Sequence, residues 1–155
     1  MQSALLLFCE VPYIIKNIRK KYDKRNLPAH ITLAYLIDNN DKKLISVLEK
    51  QKKFKIILNN YIIDDGLVAL KIDNINKINN IIKKIKVFVD KLPKSGFHLT
   101  LLYKKKDKKI NKKIKNDILS NIKLPIEIEI NKIWLMKRNK NISKDWYRSK
   151  TIFLI

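Results

Sequence analysis

The stretch HITLAYL at residues 30–36 and the stretch HLTLLYK at residues 98–104 carry one pattern: His, apolar, Thr, Leu, apolar, Tyr. The chain has two histidines, and each opens one copy. A lone His-apolar-Thr-Leu strand is ordinary core. Two copies that use both histidines call for two equivalent strands, and so for an architecture built twice. Side chains alternate across a strand. On that parity His30, Thr32 and Ala34 share one face, and Ile31, Leu33 and Tyr35 the other. In the second copy His98, Thr100 and Leu102 oppose Leu99, Leu101 and Tyr103. Each strand then offers one imidazole and one hydroxyl side by side, backed by a packed surface.

The rest of the chain fits such a duplication. Residues 3–11 read as a strand stopped by Pro12, and 13–25 as an amphipathic helix with Ile14, Ile15, Ile18 and Tyr22 near helical spacing. After the first motif strand, residues 38–41 (DNND) give a turn and a helix cap, and KKLISVLEKQK a second helix. The runs 54–64 and 66–73 flank Asp64-Asp65-Gly66, a hairpin signal. Residues 74–92 carry an apolar stripe from Ile75 to Phe88 and predict a third helix; Pro93 and Gly96 then break the chain ahead of the second motif strand. A fourth helix is expected over 108–122, a strand over 125–138 with alternation through IEIEI, and a last strand over 146–155. At 155 residues with 46% apolar content, one α+β domain over 1–155 is expected, its two pseudo-symmetric lobes drawn from both ends of the chain with one motif each.

Composition bounds the setting. The single cysteine, Cys9, excludes an internal disulfide and a multi-cysteine zinc site, and its apolar neighbourhood marks it as a small buried residue. The apolar run near the start is closed by Glu10 and Pro12, too short for a signal core or a membrane span. A soluble, unexported protein of a reducing compartment, the cytoplasm, is expected, with no membrane partner. Thirty-five Lys and Arg against 14 Asp and Glu give a net charge of +21, which attracts polyanions. The abundance of Lys, Ile and Asn is also what AT-rich codons encode, so charge alone does not name the partner.

Two imidazoles across a cleft can serve as general acid and general base, since histidine titrates near neutral pH. Two threonine hydroxyls can donate hydrogen bonds to phosphate oxygens, and nearby Lys and Arg can stabilise charge on a phosphorane-like transition state. Nothing in the set calls for a metal or another cofactor: no carboxylates cluster near either histidine and no H-x-x-x-H occurs.

At His30-Ile31-Thr32-Leu33 and His98-Leu99-Thr100-Leu101 the sequence resembles the two-histidine (2H) phosphoesterases, which include LigT-like proteins, cyclic phosphodiesterases and viral 2′,5′-phosphodiesterases. The resemblance covers nearly the whole chain. It implies two lobes, each an antiparallel sheet with helices packed outside, enclosing an active-site groove. It implies metal-independent phosphodiesterase chemistry on 2′–5′ or cyclic bonds, with His30 and His98 as acid and base in an order left open, and with Thr32 and Thr100 binding phosphate.

Resemblance and composition together imply a nucleotide or short oligonucleotide substrate, and an immune second messenger such as cyclic GMP–AMP or 2′,5′-oligoadenylate if the AT-rich lineage is viral. RNA-end processing through 2′,3′-cyclic phosphates, or non-catalytic binding of nucleotide or RNA, are the alternatives; the presence of all four motif residues favours an enzyme. A monomer is expected. The run KKKDKKINKK at 104–113 is either an RNA guide or a solvated loop and helix start. Base stacking is expected from Tyr61, Phe97, Trp134, Trp146 or Tyr147. Trp146-Tyr147-Arg148 stand out because they begin the last strand after a polar loop.

Overall fold

In the computed structural model residues 1–155 are described except Lys24, Asn26, Asp38, Asn39, 105–107, 140 and 142–144. The elements are β1 (Gln2–Phe8), α1 (Tyr13–Tyr22), β2 (His30–Leu36), α2 (Asp41–Leu48), β3 (Phe54–Ile63), β4 (Leu67–Ile72), α3 (Asn76–Lys84), β5 (Val89–Lys91), β6 (His98–Tyr103), α4 (Lys112–Asn121), β7 (Ile126–Ile130), β8 (Lys132–Arg138) and β9 (Tyr147–Phe153). Asn40 and Asn111 cap α2 and α4 by accepting from the Lys42 and Lys113 amides. The Asp64–Gly66 hairpin forms as expected, with the Asp64 amide donating to Leu67 O at 3.0 Å.

The fold is α+β. The strands form an antiparallel sheet in the order β7-β3-β4-β6-β2-β1-β8-β9, with β5 on the side of β2. Its two arms are β6-β4-β3-β7 and β2-β1-β8-β9, each with one motif strand at the junction. In each, an inner antiparallel pair is joined through a helix: β1-α1-β2 and β4-α3-β6. The arms meet at one residue pair, Ile31 opposite Leu99. Beyond it the strands part, and β5 takes up the side of β2, pairing Tyr35 with Lys91 and Leu36 with Val89. Helix α1 packs across to β6, and α3 across to β2. Ile31, Leu33, Leu99 and Leu101 are fully buried in one cluster with Leu5, Ile15, Leu70, Ile78 and Ile81. Each such side chain contributes about 1.5–3 kcal/mol of transfer free energy, so both motif strands are held from behind.

Three expectations are corrected. Residues 74–92 are not one helix: α3 ends at Lys84, a 3-10 turn covers Lys86–Phe88, and Val89–Lys91 pairs with β2. The helical stripe ends where the β-branched Val87 and Val89 begin, and strand pairing overrides it. Residues 125–138 are two strands. β7 pairs with β3 and β8 with β1, so the chain changes arms at Asn131. The clean alternation stops there, because Ile133, Trp134, Leu135 and Met136 are all buried.

The third correction concerns parity. Leu5 and Leu6 pair with Ala34 and Thr32, which leaves Leu33 as an extra residue; Val68 and Ala69 pair with Leu102 and Thr100, which leaves Leu101 extra. Each motif strand thus carries a bulge at the same motif position, and a bulge reverses the alternation after it. Ala34 and Leu102 enter the core, while Tyr35 and Tyr103 turn to the histidine face.

Candidate active site

The parting of β2 and β6 opens a groove of about 800 Å³, within the range of nucleotide-sized ligand sites. Its floor is His30, Thr32 and Tyr35 from β2 and His98, Thr100 and Tyr103 from β6. Extending the antiparallel register one residue either side of Ile31 and Leu99 sets His30 across from Thr100, and His98 across from Thr32. Each imidazole therefore shares its face of the sheet with the hydroxyl of the other motif, and all four side chains line the groove.

The two rings are oriented alike. His30 Nδ1 lies 2.8 Å from Pro28 O, and His98 Nδ1 lies 2.9 Å from Gly96 O. A carbonyl oxygen only accepts, so Nδ1 carries the proton in both and Nε2 is the reactive nitrogen. The sequence builds the second contact through a Pro93–Gly96 turn, closed by the Gly96 amide on Pro93 O at 3.2 Å. Gly96 sits at φ 72°, a left-handed conformation that suits glycine.

The two histidines differ in their surroundings. Burial lowers the His30 pKa from its ordinary 6.5; the bond to Pro28 opposes this, and the positive charges of Arg19 and Arg25 add to it. Arg25 is itself fixed. Its Nε and Nη2 donate to the buried Asp23 carboxylate at 3.0 and 2.7 Å, and its guanidinium lies 5.1 Å from the Tyr103 ring centre.

Two more cation–aromatic contacts line the groove. Lys91 Nζ is 5.3 Å from the Tyr35 ring centre, and the Arg138 guanidinium is 4.7 Å from that of Trp146. Among the described residues, Arg25, Lys91, Lys94 and Arg138 line the groove with one carboxylate, Asp90, so its described lining is net positive. Among the described residues, no three His, Cys, Asp or Glu side chains come together as a metal site would require, and no helix is long and apolar enough to cross a membrane.

The structure brings His30, His98, Thr32, Thr100 and Trp146 into one groove. Tyr147 and Arg148 do not line it: they lie on β9, with Tyr147 exposed and the Arg148 guanidinium 4.9 Å from the Trp134 ring centre. Of the other aromatic candidates, Phe97 and Trp134 are buried, and the Tyr61 hydroxyl donates to Ile122 O at 2.7 Å. Cys9 is buried, and burial pushes its thiol pKa up to about 12. The basic run 104–113 falls partly outside the described residues. Sequence reasoning missed Tyr35, Tyr103, Arg25, Lys91 and Arg138. A signal for the tyrosines was present, since each stands five residues after its histidine in both copies.

Residues 9–142 match the model of the 2′-5′ RNA ligase superfamily, and the chain belongs to that family. No curated protein matches the sequence. Among solved structures, 99% of the chain aligns with 97% of a phosphoesterase at 14% identity and TM-score 0.58. It also aligns with 98% of E. coli LigT at 15% and 0.56, and with 98% of TT0787 of Thermus thermophilus at 12% and 0.56. At these identities the likeness is one of fold.

Proposed function

We propose that the chain is a metal-independent phosphodiesterase that hydrolyses 2′–5′ or cyclic phosphodiester bonds between nucleotides. The observation that carries this is the pair of matched imidazoles in one basic groove, each with Nδ1 on a carbonyl and Nε2 left to react. Neutral His30 takes a proton from the attacking water as its oxygen bonds to phosphorus. The phosphorus–leaving-oxygen bond breaks, and protonated His98 gives its Nε2 proton to the departing oxygen. Thr32 and Thr100 donate to the non-bridging oxygens. His30 is the base because its surroundings disfavour its protonated form.

The pH dependence of kcat/KM tests this order. Only neutral His30 works as base, so its limb rises with pH and lies below 6.5, the ordinary value. A rising limb above 6.5 contradicts the assignment.

The bulges favour a substrate with a base on each side of the scissile phosphate. Tyr35 and Tyr103 lie in opposite directions from the Ile31–Leu99 junction, each beside a cation, and Trp146 adds a third ring. 2′,5′-Oligoadenylate and cyclic GMP–AMP are substrates of this kind. E. coli LigT has been crystallised with 3′-AMP and with ATP, which supports a nucleotide ligand here. Stacking is worth about 1–3 kcal/mol per base. Tyr35→Leu and Tyr103→Leu should each raise KM for a dinucleotide by about 5- to 150-fold. A nucleoside 2′,3′-cyclic phosphate has one base and should respond to at most one of the two. Unchanged KM for the dinucleotide in both variants contradicts the two-ended groove. RNA-end processing is the second reading, favoured by the family's own description; it predicts turnover of 2′,3′-cyclic phosphates alone.

A further inference from the structure

The buried polar and charged side chains among the described residues are Ser3, Arg19 and Asp23. Asp23 serves Arg25, as described above. Arg19 stands elsewhere, on the inner face of α1 where that helix crosses from its own arm onto β6. Its Nε donates to Thr100 O at 3.0 Å, and its Nη1 to Leu27 O at 2.8 Å. The first carbonyl belongs to the second motif. The second belongs to the segment leading into His30. One planar guanidinium thus bridges the two arms beside the point where they meet.

The corresponding helix of the other arm is built differently. Where α3 crosses onto β2 it buries Ile78 and Ile81, with Ile85 just after its end. An apolar crossing is therefore sufficient for packing in this fold. A buried guanidinium is the more costly choice, tolerated when its donors are satisfied. Its distinguishing property is direction, because a rigid fork fixes two acceptors relative to each other in a way that an apolar contact does not.

We propose that Arg19 is a positioning residue of the active site, and that it sets the spacing of His30 and Thr100 by tying the chain before His30 to the backbone of Thr100. The proposal rests on the two-histidine reading above. It makes the two halves of the site unequal: α1 adds a charged fork to its buried Ile15 and Ile18, whereas α3 buries isoleucines alone. Arg19 has no part in the chemistry itself. It acts through the backbone of one group and the approach to the other.

The test uses Arg19→Lys and Arg19→Gln, with His30→Ala as control. Lysine keeps the charge but lacks the fork; glutamine loses both. Turnover of a dinucleotide is measured beside thermal unfolding, and the His30 titration is followed by NMR in the free protein. Among the described residues, the charged and titratable groups around that ring are Arg19, Asp23 and Arg25 from α1 and the segment after it, His98 from β6, and Cys9 beyond β1, whose thiol stays neutral. Phe8, opposite His30 on β1, carries no charge.

Both variants should unfold cooperatively and lose about 10- to 100-fold in kcat, as a misplaced reacting group does, with KM within about threefold. The His30 pKa should rise in Arg19→Gln and stay near its wild-type value in Arg19→Lys. Wild-type kcat in Arg19→Lys, or a loss of kcat that follows the folded fraction alone, overturns the strap. With His30→Ala inactive, either result removes the strap and leaves the two-histidine reading standing. Full activity in His30→Ala removes that reading, and the strap with it.

Discussion

His30→Ala and His98→Ala each lose at least 10²- to 10⁴-fold in kcat, the usual worth of a positioned acid or base. The double variant should lose little more than the worse single one, because residues that act as a unit are not additive. The fold should survive. Both rings are half-buried at the groove, and each makes one hydrogen bond to a carbonyl. Losing that bond costs about 1 kcal/mol, while the leucines and isoleucines behind the strands remain. Circular dichroism and thermal unfolding beside the kinetics separate lost chemistry from lost fold. Near wild-type turnover in either single variant contradicts the acid–base assignment.

The second large effect belongs to the hydroxyls. Thr32→Val and Thr100→Val should each lower kcat by about 10- to 1000-fold, as loss of a donor to a developing oxyanion does. Valine keeps the branched shape that suits a strand and removes only the donor, so stability should hold. Thr→Ser restores the hydroxyl and should recover most of the rate. If valine works as well as serine at both positions, the hydroxyls do not bind the transferring phosphate.

Much of this was legible in the chain. The repeated motif marked the two strands that form the groove floor, hydrophobic periodicity found the four helices while carrying the third past its end at Lys84, and the Asp-Gly signal placed the Asp64–Gly66 hairpin. What escaped was set by long-range pairing. Simple alternation sent Tyr35 and Tyr103 into the core, because a bulge is fixed by the partner strand and leaves no residue-type mark at Leu33 or Leu101. The break at Asn131 is likewise decided by which arm each half of 125–138 joins. Trp146 reaches the groove and its neighbours Tyr147 and Arg148 do not, a difference that sequence position does not encode. In IRKK nothing separates Arg19 from the bases beside it. Its burial follows from α1 crossing onto the opposite arm, a packing visible only once the sheet is assembled.

The central claim is metal-independent cleavage of a nucleotide phosphodiester by the His30–His98 pair. The most direct measurement is turnover at neutral pH with EDTA present. The panel is 2′,5′-oligoadenylate, 2′,3′- and 3′,3′-cyclic GMP–AMP and nucleoside 2′,3′-cyclic phosphates, run beside the His30→Ala/His98→Ala double variant. The account predicts hydrolysis of at least one linked nucleotide by the wild-type chain and none by the double variant. Hydrolysis that persists in the double variant, or a wild-type chain that turns over nothing in the panel until metal is added, contradicts it.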